Sequence, residues 1–593
     1  MRQHILATAL AATVTALAYG QNLNPTVEVT NAYEGGASSI NKPAEKMAVP
    51  DSVTRFNLDF DYSVFEKPYQ GAYEFTPYYV QLKPAPKAST TEKFYLKAGA
   101  GFTLHPELDL VWSPIQKEKF RMNVYATHHS YFGRYHDFDL STGAPDVTPV
   151  VKSGEKMNGY LADTKAGVDG SFGWDGGMAS MDLGFKNRMA DNAYFYQKMS
   201  GVEAKARVRS LPSYEPHFLY DAAIDYSLLG GDQSLYMGGE KDFSESKFSF
   251  AGEFGPVLDE DHRFLVGMSV DLARYMGDYS GYTGLMSATP KYQFNLDRWR
   301  FSLGAKFSWI IYSEDYDVWD GEYRHKSGFI FPDAYVDFHL LDDRLILQAS
   351  ATGGDRFNTL SGQFFSYPFY EYGSHVFEDG RLIKGVHYGH SLERVRAMVG
   401  ARGSIAARFR YDLQGGYARW TYAPVESIQR YGLSHGDRVE FLMRPSLYQK
   451  GFNLFFVDFD YGWKSESVTV DGRLSYRHSD VSGDGALAPA AFTGFIRPAY
   501  NYGERIKAGL DIAWSTGRKC TFAGGLPSAS GTTVETTWRI PGWVDLGLFA
   551  EYRFTRNMGF WAKGGNLLNQ VVQRTPLVAE AGMYFTAGIV LNF

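Results

Sequence analysis

Apolar and polar side chains alternate with a period of two from Lys93 to the C-terminus, and this pattern constrains the fold most. Between Trp299 and Trp309, for example, every odd-numbered side chain is apolar, and the residues between them are Arg, Ser, Gly or Lys. Because successive side chains of a strand point to opposite faces, such segments predict strands with one apolar and one polar face. We count about 22 of them, which predicts an all-β chain. Further clear examples are residues 202–209, 455–464, 507–514 and 544–554.

A soluble sandwich also alternates, so the character of the two faces decides between the β architectures. The polar faces often carry two to four charges or glycines, which suits a water-filled interior. The apolar faces end in Trp, Tyr or Phe, which is typical of the aromatic girdles that barrels place at the membrane interfaces. We therefore predict a transmembrane antiparallel β-barrel of about 22 strands.

The connections between the predicted strands alternate in length, as they do in outer-membrane barrels, where short turns face the periplasm and long loops face outward. Short turns are predicted at residues 116–117, 173–177, 212–216, 259–261, 297, 342–343, 403–406, 464–466, 502–504 and 556–557. Long joins are predicted mainly at residues 131–155, 229–241, 312–326, 355–392, 421–451, 479–490 and 516–541.

Composition excludes several other classes. A net charge of −7 leaves no basic excess for nucleic acid. The single cysteine, Cys520, rules out an internal disulfide and a cysteine metal site. After residue 21, no apolar stretch reaches the 18 to 20 residues that a membrane-spanning helix needs.

The first twenty residues have the layout of a secretory signal peptide, with a short basic head, an apolar run from Ile5 to Leu17, and small residues before a cleavage point after Ala18 or Gly20. A short N-terminal helix is the alternative. No cysteine follows, which argues against a lipid anchor. We predict residues 1–20 as a signal peptide, residues 21–92 as a proline- and aromatic-rich N-terminal segment, and residues 93–593 as a barrel in the Gram-negative outer membrane.

The last strand has a specific pattern: Thr586, Gly588, Leu591 and the terminal Phe593. It resembles the C-terminal insertion signal of outer-membrane barrels. An amphipathic edge strand of this kind tends to aggregate until a partner strand closes on it. The resemblance implies that the barrel-assembly machinery is a partner during insertion into the lipid.

Residues 561–593 resemble the last hairpin of TonB-dependent receptors, in which an Asn-Leu-x-Asn element precedes the final strand. Here Asn566, Leu567 and Asn569 occupy that element. The stretch from Lys93 to Gly133 is similar to the opening strands of receptor-like barrels of Bacteroidota. The resemblance implies ligand transport across the outer membrane, with TonB as a partner.

One departure from this family concerns the plug that fills its barrels. Residues 21–92 are too short for the usual plug and contain seven prolines. A barrel of this size encloses a bore that is normally filled. We therefore predict occlusion by residues 22–86, by the connections 355–392 and 421–451, or by another protein. A disordered periplasmic linker is the alternative for the N-terminal segment.

The stretch Thr26, Val27, Glu28, Val29 and Thr30 is similar to the TonB box, a β-prone stretch that pairs as an added strand with the energy-transducing partner. Five residues of this type also occur by chance, so an ordinary extended stretch is an equally good interpretation.

The sequence contains no recognisable enzyme signature, and we predict no catalytic site, cofactor or metal site. His390 adjoins Ser391, but adjacent strand residues face opposite ways, so exposed loop or girdle histidines are the better interpretation of His390 and of the pair His128 and His129. The acidic run 314–322 lacks the spacing of a calcium loop and is interpreted as a solvated surface loop.

Two functions remain open at this point. The family resemblance and the TonB-box-like stretch favour transport of a ligand across the outer membrane. The absence of a full plug favours a structural barrel subunit of an outer-membrane assembly or secretion complex.

Overall fold

The structure is a computed structural model that describes residues 93–593 with gaps at 103, 140–145, 149, 193–194, 212–216, 236–238, 279–280, 313–328, 342–343, 367–368, 370–376, 379–380, 383–389, 436–437, 484, 504, 528–532 and 581. The predicted signal peptide, the segment 21–92 with its TonB-box-like stretch, and the acidic run 314–322 lie outside the described residues.

The described chain is almost entirely strand. In chain order the strands are β1 Phe94–Phe102, β2 Glu107–Gln116, β3 Phe120–Asp139, β4 Asp146–Val147, β5 Val150–Trp174, β6 Gly177–Asn192, β7 Phe195–Ser210, β8 Phe218–Leu235, β9 Gly239–Pro256, β10 His262–Gly277, β11 Gly281–Leu296, β12 Trp299–Tyr312, β13 Phe329–His339, β14 Ile346–Arg356, β15 Phe377–Glu378, β16 Arg381–Leu382, β17 Ser391–Ile405, β18 Phe409–His435, β19 Arg438–Lys464, β20 Val468–Ser479, β21 Phe492–Tyr502, β22 Ile506–Ser515, β23 Arg518–Pro527, β24 Thr533–Ile540, β25 Trp543–Arg553, β26 Met558–Gly565 and β27 Tyr584–Asn592. A short helix, α1 (Leu360–Ser366), lies between β14 and β15.

Twenty-two of these strands form one antiparallel sheet that closes on itself, because β1 pairs with both β2 and β27. At the closure seam Gly99 lies opposite Gly588, and Leu96 lies opposite Leu591. The remaining short strands, β4, β15, β16, β23 and β24, lie in the connections. The predicted fold class and strand number are confirmed.

The two ends of the barrel differ in their connections. We call the end with short turns and both barrel termini the turn end, and the opposite end the loop end. Eight of the ten predicted short turns lie at or beside strand junctions of the turn end, and the other two, 212–216 and 342–343, lie outside the described residues. The prediction for the other end needs correction, because much of 131–155, 229–241 and 421–451 is paired strand. β3 and β5 stay paired to Asp139↔Val150, β8 and β9 to Leu235↔Gly239, and β18 and β19 to His435↔Arg438.

The outward face of the barrel is an apolar belt. In β6, Leu183 and Phe185 are 48% and 45% exposed, while the bore-facing side chains between and beside them are Asp182, Gly184 and Lys186. The same alternation recurs around the wall, so the belt is far larger than the apolar patches of monomeric soluble proteins. Lipid is the environment that fits such a surface. Among the described residues, no helix has the length and apolar character to cross a membrane.

Aromatic side chains border this belt at both ends, as the sequence predicts. Trp299 stacks beside Phe301 and contacts Phe338 near the turn end, and Tyr417 contacts Phe455 near the loop end. Amphipathic aromatic rings favour the boundary between lipid and water. Other members of the turn-end group are Phe120, Phe172, Trp174, Phe294, Trp463, Tyr500, Tyr502, Tyr552 and Phe560.

Candidate functional site at the loop end of the barrel

The bore wall near the turn end carries ion pairs between neighbouring strands. Arg410 pairs with Asp471 at 2.8 Å and Arg497 with Asp511 at 3.0 Å. Each of these arginines remains more than half exposed, so water reaches this part of the bore. Exposed pairs of this kind contribute little stability, and their main effect is a hydrated, charge-balanced wall.

Several bore-facing charges nearer the loop end are enclosed, although Arg356 remains 57% exposed. Lys186 and Glu203 pair at 3.1 Å with each side chain less than one-fifth exposed. Glu393 pairs with Arg356 and Arg396 at 3.0 and 2.9 Å and is itself 6% exposed. The bore therefore changes from wet to enclosed along its axis, and the enclosure comes from chain segments that fold against the inner wall.

The first of these segments is the lumenal loop, defined here as residues 357–366 with Phe369. Leu360 and Phe364 of α1 pack against Met199 of β7, Leu229 of β8 and Tyr275 of β10. These wall residues alternate with outward-facing neighbours, so they point into the bore. All of them are nearly fully buried in a protein whose bore is elsewhere hydrated.

The lumenal loop is also held by polar contacts. Glu245 of β9, which is fully buried, accepts a hydrogen bond from the Ser361 backbone N at 2.9 Å and a second, short one from the Ser361 hydroxyl. Thr359 Oγ1 accepts from the Gly362 backbone N at 3.0 Å and so caps the first turn of α1. Arg188 donates to the Phe365 carbonyl oxygen. The wall thus holds the loop at both ends of its helix.

The second enclosing segment is the connection between β26 and β27. Val578 packs with Tyr131 and Tyr135 of β3 and with Phe369 of the lumenal loop. The Tyr135 and Phe369 rings meet edge to face at 5.6 Å. The two segments therefore share one apolar cluster on the inner wall.

A charged triad fixes the same connection. Arg574 donates to Asp545 at 2.6 Å and forms a short ion pair with Glu580. Enclosure by the protein raises the pKa of Glu580, although Arg574 opposes the rise. Enclosure alone would lower the pKa of Arg574, but Glu580 and Asp545 together raise it, so the guanidinium stays charged.

The predicted Asn566, Leu567 and Asn569 element begins this connection. Asn566 and Asn569 both have positive φ, which Asn tolerates better than most residues. Asn566 Nδ2 donates to the Gln570 carbonyl oxygen, and Asn566 Oδ1 accepts from the Gln570 backbone N. Asn569 Oδ1 accepts from the Met583 backbone N at 3.1 Å. The element is therefore a turn that starts the inward path and links its two ends.

The four residues of the predicted insertion signal lie in or directly after the strand that closes the barrel. Thr586 is buried, Leu591 pairs with Leu96, and the Phe593 carbonyl oxygen accepts from the Phe94 N at 2.7 Å. At Gly588 a Cβ would overlap the Ala98 carbonyl oxygen, so only glycine fits. A role of these residues in insertion stays a prediction.

A small folded unit stands at the loop end, and we call it the cap cluster. It joins the antiparallel pair β23 and β24 to β4. Its core consists of Ile428, Leu487, Cys520, Phe522, Trp538 and Ile540, with Leu577 packed against it. Three separate connections thus share one hydrophobic core, which makes the cap cluster a fixed structure.

The histidines singled out in the sequence are arranged differently from expectation. The prediction of an exposed His390 is wrong: it is 1% exposed, and its Nε2 lies 3.2 Å from Thr283 Oγ1. His128 contacts Thr164 Oγ1 and Ser130 Oγ, and His129 pairs with Asp109. Within the described part of the chain, no group of three or more His, Cys, Asp or Glu side chains is placed to hold a metal ion.

Sequence reasoning missed the residues that hold the two segments on the inner wall: Glu245, Ser361, Arg188, Arg574 and Glu580. Glu245 and Arg188 follow the alternation as ordinary polar-face residues. Ser361 lies in a seven-residue helix without a long apolar period. No local signal in the sequence distinguishes them from their neighbours.

Solved structures share this barrel. The siderophore receptor PirA from Acinetobacter baumannii matches with a TM-score of 0.57 at 10% identity, over 85% of this chain and 80% of that chain. The FrpB iron transporter from Neisseria meningitidis matches with a TM-score of 0.60 at 10% identity, over 85% and 82%. The copper transporter OprC matches with a TM-score of 0.56 at 12% identity, over 85% and 80%.

The chain has the barrel fold of TonB-dependent receptors. At these identities the likeness establishes the fold alone. No protein family model matches the sequence, and no curated protein sequence does.

Proposed function

We propose that this protein is an integral outer-membrane barrel, similar to a TonB-dependent receptor without a full plug, that moves a ligand through its bore. The observation that carries the proposal is the form of the bore. Its wall is hydrated and ion-paired toward the turn end, and segments packed on the wall support a closure at its loop end. A closure held by side-chain contacts is one that a transport cycle can open and close.

The location follows from the outward surface. The apolar belt with an aromatic border at each end suits a lipid bilayer. We infer that the signal peptide 1–20 directs export, that the barrel-assembly machinery recognises Thr586, Gly588, Leu591 and Phe593, and that the turn end faces the periplasm of a Gram-negative cell. The long connections and the cap cluster then face outward.

The three structural neighbours are a siderophore receptor, an iron transporter and a copper transporter. Together with the resemblance in the last hairpin, they support transport over catalysis for this chain. We propose TonB as the partner, engaged through residues 27–30, and no enzyme activity. The N-terminal segment 21–92 would occlude the bore from the periplasmic side or act as a linker.

The test is uptake by cells that express the full chain or a chain lacking residues 27–30. The matched control lacks four residues elsewhere in the same segment, 37–40. Siderophore-bound iron and copper are the first ligands to supply. Uptake that is lost only with residues 27–30 supports energy-coupled transport, whereas equal uptake by all three strains contradicts the TonB partnership.

The alternative function is a structural barrel subunit of an outer-membrane assembly or secretion complex. The cap cluster favours it, because three connections share a rigid core that suits docking of other proteins. Purification of the native protein distinguishes the two functions. Stable outer-membrane companions together with the absence of conductance and uptake would support the structural role.

Limited proteolysis of the membrane-embedded protein tests the place of residues 21–86. Protection of this segment supports occlusion of the bore. Its rapid loss without a rise in permeability would leave closure to the lumenal loop and the β26–β27 connection.

A further inference from the structure

Two neighbouring strands carry bulges at the same height near the loop end. In β17 the pairing with β18 shifts between Glu393 and Val395, and in β18 the pairing with β19 shifts between Trp420 and Ala423. The extra residues include Arg394 and Thr421, and Arg394 Nε donates to Thr421 Oγ1 at 2.6 Å. Bulges re-aim side chains and interrupt the ladder, so the wall is indented here.

The indentation is a cavity of about 720 Å³, within the usual range for ligand sites. The strands behind it include Trp420 and Phe452, whose rings pack in a bore-facing cluster with Ala418 and Phe456. The polar part of the lining consists of Arg394, Arg419, Thr421, Asn453 and Asp480.

The position of the neighbouring side chains places the cavity on the outward surface. Arg419 lies opposite Asn453, two residues beyond the pair Tyr417 and Phe455. Phe455 is 52% exposed on the outward face, and alternation puts Asn453 and Arg419 on the same face. The cavity therefore lies directly above the loop-end aromatic border, at the depth of lipid headgroups.

The charges of the cavity favour an anion. Within the described residues, the Arg419 side chain makes no hydrogen bond or ion pair. The Arg394 side chain makes one hydrogen bond, from Nε to Thr421 Oγ1. Asp480 is already engaged, since it accepts from the backbone N and from Nδ2 of Asn453, each at 2.6 Å. Burial alone would raise the pKa of Asp480, but these hydrogen bonds and Arg419 lower it, so one negative charge stands against two guanidinium groups.

We propose that this cavity binds the sugar-phosphate headgroup of an anionic glycolipid in the outer leaflet, an inference that rests on the membrane location proposed above. Arg394 and Arg419 contact the phosphate, for which guanidinium groups are well shaped. The acyl chains continue over the apolar belt below, which is why a lipid fits better than free phosphate.

The test uses the full chain, purified in detergent and mixed with diphosphoryl lipid A, with bound lipid measured by native mass spectrometry. The test variant is Arg394→Gln with Arg419→Gln. The control is Arg298→Gln with Arg556→Gln, which removes the same charge from two exposed turn-end arginines. Inorganic phosphate and lipid A stripped of its phosphates are the competing probes.

The expected result is that the test variant loses at least about tenfold in lipid A affinity, as the loss of charge-assisted hydrogen bonds predicts. The control keeps the affinity of the wild type, and the dephosphorylated lipid binds weakly. Equal binding by both variants would overturn the proposal. Binding of inorganic phosphate as tight as that of lipid A would overturn the lipid as the ligand. A monodisperse wild-type barrel that binds no lipid A would overturn this lipid site but would leave the proposed transport function standing.

Discussion

The Glu245 carboxylate on the inner wall of β9 receives both the backbone N–H and the hydroxyl of Ser361, 116 residues further along the chain. This contact joins the lumenal loop to the barrel wall in a site from which water is excluded. The closure of the bore therefore depends on a few identifiable side chains.

Replacing Glu245 with alanine is expected to release the lumenal loop. The Ser361 donors would be left unpaired, and a buried unpaired donor costs about 1–3 kcal/mol. Single-channel recording in planar bilayers should show larger or more frequent openings than the wild type. Glu253→Ala is the control, because Glu253 lies on the same face of β9 and pairs with Lys291 away from the loop. Identical recordings from both variants would show that the loop does not close the bore.

The β26–β27 connection is expected to loosen as pH rises. The pKa of Glu580 is raised by enclosure, so the folded segment holds this proton more tightly than the unfolded one. The resulting stability is present below the ordinary glutamate pKa and is lost as pH rises through the raised value. Hydrogen exchange of residues 570–580 should be faster at about pH 8 than at about pH 5, beyond the intrinsic pH effect. Glu580→Gln should remove that extra dependence, and a variant that keeps it would contradict the assignment.

Gly588→Ala is expected to open the seam between β1 and β27. The added Cβ would overlap the Ala98 carbonyl oxygen, and overpacking of this kind costs about 1–3 kcal/mol. Refolding in detergent, without the assembly machinery, separates this effect from signal recognition. The heat-modifiable folded band on a semi-native gel should be lost. Gly230→Ala should keep it, because a Cβ there meets no atom within 4 Å.

Much of the fold can be predicted from the sequence, because each strand of the barrel wall has a local alternation of apolar and polar residues. The alternation from Trp299 to Trp309 is recognised from neighbouring residues alone. A turn residue such as Asp297, which has positive φ in the structure, marks the junction between two strands. Strand number and the eight described turns follow from these signals. The two bulges at Arg394 and Thr421 leave no comparable trace in the sequence.

The packing of segments inside the bore could not be predicted in the same way, because it consists of contacts between residues that are distant in sequence. Arg188 meets the Phe365 carbonyl oxygen across 177 residues, and Val578 meets Tyr131 across the barrel seam. Residues 421–451 are predicted as a long connection, yet β18 and β19 continue there as a paired hairpin. Burial of His390 likewise depends on Thr283 of a remote strand.

The central claim is that lipid surrounds the wall and water fills the bore. The most direct measurement attaches an environment-sensitive fluorophore to Ile224→Cys or to Asp225→Cys, adjacent residues of β8 with opposite faces; the native Cys520 is buried and does not interfere. In proteoliposomes, nitroxide-labelled lipid should quench the probe at position 224, and aqueous iodide should quench the probe at position 225. Quenching of both positions by iodide, with neither reached by the lipid quencher, would contradict the account.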